Sequence, residues 1–594
     1  MAMGIRMMQT ADIDKILDAM TLEQKIGQML ALGFSGTYPH PDILRMIEQY
    51  HVAGFRVTPG SRKFIRELKP GSAGEPRVRR VPESDERVYG SKIGAPSVSS
   101  QEYARTLNTL RQRALDSGAG IPLYFALDFE GNQSIDYYTL GMSGFPHAMG
   151  IAQSGDPTLA RRVARAIGKQ IEAIGINWIH SPVLDVNTDP LNPEINTRSY
   201  SPDPTVVAEY ALQALLGFND ANIIATGKHF PGRGQSEQDA HYEVNLIHES
   251  RARMELIHLA PYRALIRAGL PAIMLAHSGF PSLDPSGSVA TISKPIVTDI
   301  LRGELGFDGV VMTDSFTMGG LANQYDIPEA AIRAAEAGVN LILLKDENAL
   351  RGEVYCGLLN AVKTKRLSED QVNESVRRVL IAKNRVGLFD GGRGIVDINR
   401  VAEKLFDAEH AQVARESAEK SVIVLRQQEN VLPLKSGTRV LVVEQVNVLH
   451  RRLNDSAAYP GALYHALLER GMNAIYTDFD AESFEEAWKF VQVRAADVEV
   501  IIHTGYYERS SANISGAGAS GYTSLNLEHH ERFLGLGKPT IFVTNSPYPY
   551  IVSPKMPTVV VSFSAFAESM RAVARVLCGD MPARQLNFDS TQRY

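Results

Sequence analysis

An N-terminal (β/α)8 TIM-type barrel followed by a C-terminal doubly wound α/β sandwich is the α/β architecture that the sequence predicts. Three observations carry it. The chain has 594 residues, more than one core normally organises, since single cores stop growing near about 250–300 residues. Eight short, wholly apolar runs, each closely followed by an amphipathic segment, recur before Asp390, the pattern of parallel strands buried on both faces. After Asp390-Gly-Gly-Arg-Gly394 a second strand–helix alternation begins.

Taken in order, the first element is a helical pattern of Ile13, Ile16, Leu17 and Met20, and Thr21-Leu-Glu-Gln24 has the form of a capping box opening a second helix. The strand-like runs are 29–34, 54–58, 123–127, 176–183, 223–226, 272–276, 310–312 and 340–344. Periodic segments at 157–174, 204–221, 250–268 and 295–305 read as connecting helices. Eight strands within about 350 residues fit a barrel with insertions, although periodicity alone does not close a sheet, and an open doubly wound sheet is the alternative. Residues 60–98 hold few apolar side chains, and their basic residues outnumber the acids. They read as a long insertion after the second strand, either a solvated loop or a lid.

The expected division is a barrel over 1–390, a linker over 391–410 and an α/β domain over 411–594. In the last part, strands are expected at 422–425, 440–443, 498–503, 540–544 and 558–562, with helices at 462–469, 484–493 and 527–534.

Composition narrows the function classes. The chain is 44% hydrophobic and 22% charged, as in globular rather than disordered proteins. A net charge of −6 gives no reason to expect nucleic acid. No apolar run approaches the roughly 18–20 residues of a membrane helix. The two cysteines, Cys356 and Cys578, can build neither a disulfide framework nor a multi-cysteine zinc site, and both read as buried thiols. The first residues lack the apolar core of a secretory signal, so the expected location is the cytoplasm, or the exterior if a leader has been removed.

Polar residues concentrate where the strands end, which is where a barrel carries its chemistry. The third run ends in Asp128-Phe-Glu130, and the fourth leads into His180 and Asp185. The fifth ends in Lys228-His229, the sixth in His277-Ser278 and the seventh in Thr313-Asp314-Ser315. Charged groups directly after buried strands are costly unless paired, so five such ends together point to a polar pocket. His-x-His and His-Glu-x-x-His spacings are missing there, as are a Gly-x-Ser-x-Gly elbow and a phosphate-cradling Gly-x4-Gly-Lys loop. Neither a metal nor an organic cofactor is therefore expected. Carboxylate and imidazole chemistry remains, which suits acetal cleavage.

At the end of the fifth run, Lys228-His-Phe-Pro-Gly-Arg-Gly234 with Asp239-Ala-His241 resembles the signature of glycoside hydrolase family 3, in its β-N-acetylglucosaminidase branch. Gly309-Val-Val-Met-Thr-Asp-Ser315 resembles the segment holding that family's nucleophilic aspartate, Asp128-Phe-Glu-Gly131 its sugar-binding Asp-x-Glu-Gly, and Asn196-Thr-Arg-Ser199 its arginine-bearing loop. The resemblance implies a retaining, exo-acting hydrolase of a terminal β-linked sugar. Asp314 would be the nucleophile, His241 the acid/base and Asp239 its orienting carboxylate. Asp128, Arg198, Lys228 and His229 would hold the sugar. A histidine near its unperturbed pKa shuttles protons at neutral pH, and as a neutral base it leaves phosphate open as an acceptor in place of water. The partner implied is a carbohydrate, with neither nucleic acid nor membrane, and a homodimer is left open.

The chain departs from the family pattern in three places. Asn132-Gln-Ser-Ile-Asp136 stands where relatives have a glycine and an arginine, Arg233 and Gln235 stand where His and Asp are common, and 60–98 is extra. The alternatives are a β-glucosidase or β-xylosidase with Glu508 of the second domain as acid/base, and a catalytically silent sugar-binding protein.

Overall fold

The computed structural model describes residues 8–59, 61–63, 92–94, 98–118, 120–131, 140–236, 245–322, 324–446, 461–479, 483–506 and 527–594. Eight strands form the first sheet: β1 (Leu30–Ser35), β2 (Gly54–Thr58), β3 (Tyr124–Leu127), β4 (Trp178–Ile179), β5 (Ile224–Phe230), β6 (Ala272–Leu275), β7 (Val310–Thr313) and β8 (Ile342–Leu344). Their order is β7-β6-β5-β4-β3-β2-β1-β8, all parallel. The two ends of the sheet meet. Thr313 N donates to Leu341 O at 3.0 Å and Phe316 N to Leu343 O at 2.9 Å, while the Thr313 hydroxyl accepts from Leu343 N at 2.9 Å. The ring is nearly closed, and the open-sheet alternative is set aside.

Each strand alternates its side chains between two apolar environments, which is why the runs are continuous rather than alternating. Inward residues Ala31, Tyr124, Ala126, Trp178, Ile224, Met274, Met312 and Leu343 fill the barrel, and Val379 and Ala382 of the helix Glu369–Arg385 cap it from below. Outward residues pack against helices such as Pro157–Ala173 and Pro204–Asp220, both opened by an aspartate cap and a proline in the first turn. The capping box at Thr21–Gln24 is complete in both directions. The fourth strand is shorter than its apolar run because Pro182 cannot donate to a ladder, and pairing resumes as a single bridge from Val183 to Lys228. Of the 60–98 insertion, only an antiparallel pair of short strands, Ser61–Lys63 with Lys92–Gly94, is described.

The second sheet holds β9 (Ile423–Arg426), β10 (Arg439–Gln445), β11 (Asn473–Phe479), β12 (Val500–Gly505), β13 (Thr540–Thr544) and β14 (Thr558–Val561), in the order β9-β14-β13-β12-β10-β11. All pairs are parallel except β9 with β14. Helices Ala462–Leu468 and Ala567–Leu577 cover one face, while Phe484–Arg494 and the turn at Phe533 cover the other. β11 is absent from the sequence expectation. It is an edge strand with mostly half-buried side chains, so it lacks the apolar run by which the others are read. The stretch expected as a linker contains the short helix Val401–Leu405, and Ala408–Ser421 begins within it. Cys356 is exposed rather than buried. Among the described residues no helix is long and apolar enough to cross a membrane.

Gly33 sets how tightly the first strand lies against the chain leaving the eighth. A Cβ there would sit 1.8 Å from Lys345 O, and Gly33 O also accepts from the buried Arg351 guanidinium. Gly33→Ala is expected to lower unfolding stability by about 3 kcal/mol, the upper range for overpacking. Gly391→Ala, with open space around it, should stay within about 0.5 kcal/mol. Chemical denaturation of both variants checks this.

Candidate active site

Eight ionised side chains alternate in sign across the C-terminal mouth of the barrel. Arg56, on β2, places Nη2 2.9 Å from Asp128 Oδ2, just past β3. Asp128 Oδ1 is 3.1 Å from Lys228 Nζ on β5, and the same ammonium lies 2.5 Å from Glu130 Oε1. Glu130 accepts from Arg198 Nε at 2.5 Å and Nη2 at 2.9 Å. Arg198 Nη1 lies 3.9 Å from Glu194 Oε1, to which Arg233 Nη2 approaches at 2.6 Å. Arg233 Nη2 is in turn 3.7 Å from Asp314 Oδ2, just past β7. His180 Nδ1 adds a contact of 3.2 Å to Asp128.

The elements explain the positions. A register shift between Lys228 and Phe230 in the β5–β6 ladder re-aims this segment, as bulges do. Arg198 ends a 3₁₀ turn, Asn196–Arg198, and donates through Nη1 to Glu194 O at 3.1 Å. His229 is anchored on Asp185. Its Nδ1 lies 2.7 Å from Asp185 Oδ2, which also accepts from His229 N at 3.2 Å, and Asp185 Oδ1 accepts from Arg233 N at 2.8 Å. Burial pushes the Asp185 carboxyl up to about 6, against the lowering pull of Arg233 and Arg198.

Charge and exposure are segregated. The side chains of Arg56, Lys228, Arg198 and Arg233 are 7%, 3%, 6% and 1% exposed, whereas Asp128, Glu130 and Asp314 are 31%, 18% and 17% exposed. The cations lie beneath together with Glu194, which is buried as deeply as they are, and the other three carboxylates face the mouth. Burial alone would raise the pKa of Asp128, but Lys228, Arg56 and His180 hold it well below the usual carboxylate range. Glu130 is held down in the same way by Arg198 and Lys228. The mouth therefore offers ionised acceptor oxygens with their charge already compensated, which suits a neutral ligand rich in hydroxyl donors. Behind Glu130 and Arg198 a small cavity is lined by Phe129, Phe145, Ile151, Val163 and Phe218.

Five of the seven residues singled out from sequence are thus located. Asp128, Lys228 and Arg198 are joined through Glu130, Asp314 ends the same chain, and His229 is linked to it through Asp185 and Arg233. Asp239 and His241 lie outside the described residues, as do Glu508 and the Asn132–Asp136 departure. Sequence reasoning did not assign Arg56, Glu130, Asp185, Glu194 or Arg233. An arginine inside the buried Gly54–Thr58 run was a usable signal for the first, and the Asp-x-Glu spacing for the second. Among the described residues no group of three or more His, Cys, Asp or Glu is placed to hold a metal.

A nearly closed parallel barrel whose mouth carries ionised carboxylates over buried cations, joined to a second, mostly parallel sheet, fits the two-domain barrel hydrolases of glycosides. The chain belongs to glycosyl hydrolase family 3, whose N-terminal domain model matches residues 21–382. It is 30% identical over 387 residues to beta-hexosaminidase A of Pseudoalteromonas piscicida, covering 61% of this chain and 64% of that protein. It is 29% identical over 363 residues to the beta-N-acetylglucosaminidase/beta-glucosidase of Cellulomonas fimi, covering 59% and 62%. These alignments therefore span just under two thirds of each relative. A solved glycoside hydrolase family 3 beta-N-acetylglucosaminidase from Paenibacillus sp. str. FPU-7 superposes with a TM-score of 0.79 at 27% identity, covering 97% of this chain and 100% of that one.

Lys228 is the cation shared by two carboxylates, so Lys228→Met should cost about 3 kcal/mol, as breaking a buried pair does. The sign of its pH dependence follows from the depressed carboxylates. Their stabilisation is fully present above the ordinary values of 3.8 and 4.5 and is lost progressively as pH falls from there through the lower values they have in the folded protein. The difference between wild type and variant should therefore be largest near pH 7 and shrink below pH 4, as read by denaturant unfolding across pH.

Proposed function

We propose that this protein is a retaining, exo-acting glycoside hydrolase that releases a terminal β-linked sugar, most readily β-N-acetyl-D-glucosamine. The observation that carries the reading is the row of solvent-facing carboxylates over buried cations, with Asp314 at one end. It is supported by membership of glycosyl hydrolase family 3 and by relatives named beta-hexosaminidase A and beta-N-acetylglucosaminidase. Asp128, Lys228 and Arg198 hold the hydroxyls and the N-acetyl group of the sugar, with Glu130 fixing the two cations. His229 keeps its place in the pocket through Asp185.

In the first step an Asp314 oxygen attacks the anomeric carbon while the glycosidic C–O bond breaks, and the leaving oxygen takes the proton of His241. In the second, His241 removes a proton from water, the water oxygen displaces Asp314 from the anomeric carbon, and the carboxylate returns. Asp239 orients the imidazole and stabilises its charged form. The chemistry requires no metal or organic cofactor.

A panel of aryl β-glycosides, each run with and without phosphate, tests this. Asp314→Ala should abolish turnover of every member. His241→Ala should lower cleavage of poor leaving groups by about 10²–10⁴-fold and spare activated aryl glycosides in the first step. A preference for β-glucosides or β-xylosides, with that leaving-group pattern appearing only in Glu508→Ala, would overturn the assignment. Binding without turnover in the wild type would make the protein a sugar-binding one.

A further inference from the structure

Arg233 stands in the loop directly after β5, and its surroundings are unusual for a guanidinium. The residue is 1% exposed. Among the described residues, Nε, Nη1 and Nη2 have no partner in hydrogen-bonding geometry. What the side chain has is charge contact on two sides: Glu194 Oε1 at 2.6 Å and Asp314 Oδ2 at 3.7 Å. Its backbone is pinned separately, with N donating to Asp185 Oδ1 at 2.8 Å and O accepting from Asn192 Nδ2 at 2.9 Å. The main chain is thus fixed at this residue, and the close ion pair with Glu194 sets the guanidinium beside Asp314. An arginine carries its charge throughout the ordinary pH range, so Asp314 has a buried positive group 3.7 Å away.

We propose that Arg233 is a positioning residue that acts through Asp314, holding that carboxylate charged and aimed before attack, while Glu194 moderates its pull. This rests on the role proposed for Asp314. The balance has a chemical purpose. Attack converts the Asp314 carboxylate into a neutral ester, so an unopposed neighbouring cation would favour the free carboxylate and resist the step. Glu194, closer to Arg233 than Asp314 is, takes up part of that charge as the ester forms. His277, beside this end, has its Nδ1 2.7 Å from the Thr291 hydroxyl and its Nε2 3.1 Å from Ser315 O. Asp314 Oδ1 accepts from Ser315 N at 2.7 Å, which leaves Oδ2 on the Arg233 side.

The test is the pH profile of kcat/KM on an activated aryl β-N-acetylglucosaminide, measured on the full chain, because its acidic limb reports ionisation of the free enzyme's carboxylate. Removing an opposite charge at this range raises a carboxylate pKa by about 1–3 units. Arg233→Gln should therefore move the acidic limb up by at least about 1 unit. Arg233→Lys, which keeps a charge, should bring it most of the way back. Glu194→Gln, which leaves Arg233 unopposed, should move the limb down and slow the plateau rate. A merely structural arginine would instead lower thermal stability and leave the limb in place in every variant. The proposal is overturned if the limb of Arg233→Gln stays within about 0.3 unit of wild type, or if Arg233→Gln and Glu194→Gln shift it in the same direction. If Arg233→Gln fails to fold, Arg233→Lys and Glu194→Gln decide alone, since wild-type limbs in both would overturn the proposal equally. Turnover surviving in Asp314→Ala is a separate outcome that sinks the parent reading and is recognised before any limb is compared.

Discussion

The alternating row of charges from Arg56 to Asp314 is the constraint on which the rest of the active face depends. Each of its members would be expensive in a buried site alone, because desolvation of an ion costs several kcal/mol. Set in alternation, every inner member touches a counter-charge on either side, at separations of 2.5 to 3.9 Å. The arrangement needs residues from β2, β3, β5, β7 and the loop after β4 at once, so it forms only when the barrel is closed. The site and the fold are thereby coupled: displacing any of these strands leaves a charge unpaired, and a missing charge leaves its neighbours stranded.

The second sheet braces that arrangement from outside. Tyr548, in the loop after β13, accepts through its hydroxyl from Asn187 Nδ2 at 2.8 Å, and Arg593 reaches Asp189 at 3.0 Å. Tyr594 N donates to Thr188 O at 2.9 Å, and His147 N to Phe563 O at 3.0 Å. These contacts fall on the barrel loop that carries Asp185, Glu194 and Arg198, and on the segment next to the cavity behind Glu130. Between the helix Pro157–Ala173 and Ala408–Ser421, Arg162 forms a two-pronged pair with Glu416 at 2.5 and 2.7 Å. Positioning of substrate-facing loops by a rigid neighbour is how a scaffold gains precision at a site, and here it gives the second sheet a structural reason to be attached.

Much of the barrel was legible in the sequence because burial on both faces leaves a continuous apolar run, as at Ala272–Leu275 and Val310–Thr313. Edge strand β11 was not, since Asn473–Phe479 is only half buried and carries Thr477 and Asp478. The ends of the strands were legible as places where charge follows an apolar run, which located Asp128, Lys228 and Asp314. Their pairing was not. Glu130 was visible only as part of the Asp-x-Glu-Gly motif and Glu194 only as a loop acid until Arg198 is seen between them, and contacts across 68 and 100 residues leave no local trace. Arg233 was visible only as a departure from a family pattern, and its meaning came from the two carboxylates it stands between.

The measurement that bears most directly on this account is identification of the residue that carries the sugar midway through turnover. An activated aryl 5-fluoro-β-N-acetylglucosaminide forms the covalent species faster than it is lost, and peptide mass spectrometry then locates the added mass. A single glycosyl adduct is expected on the peptide containing Asp314, released on longer incubation with recovery of activity. An adduct on another carboxylate, or full turnover of ordinary substrates with no adduct formed, would contradict it.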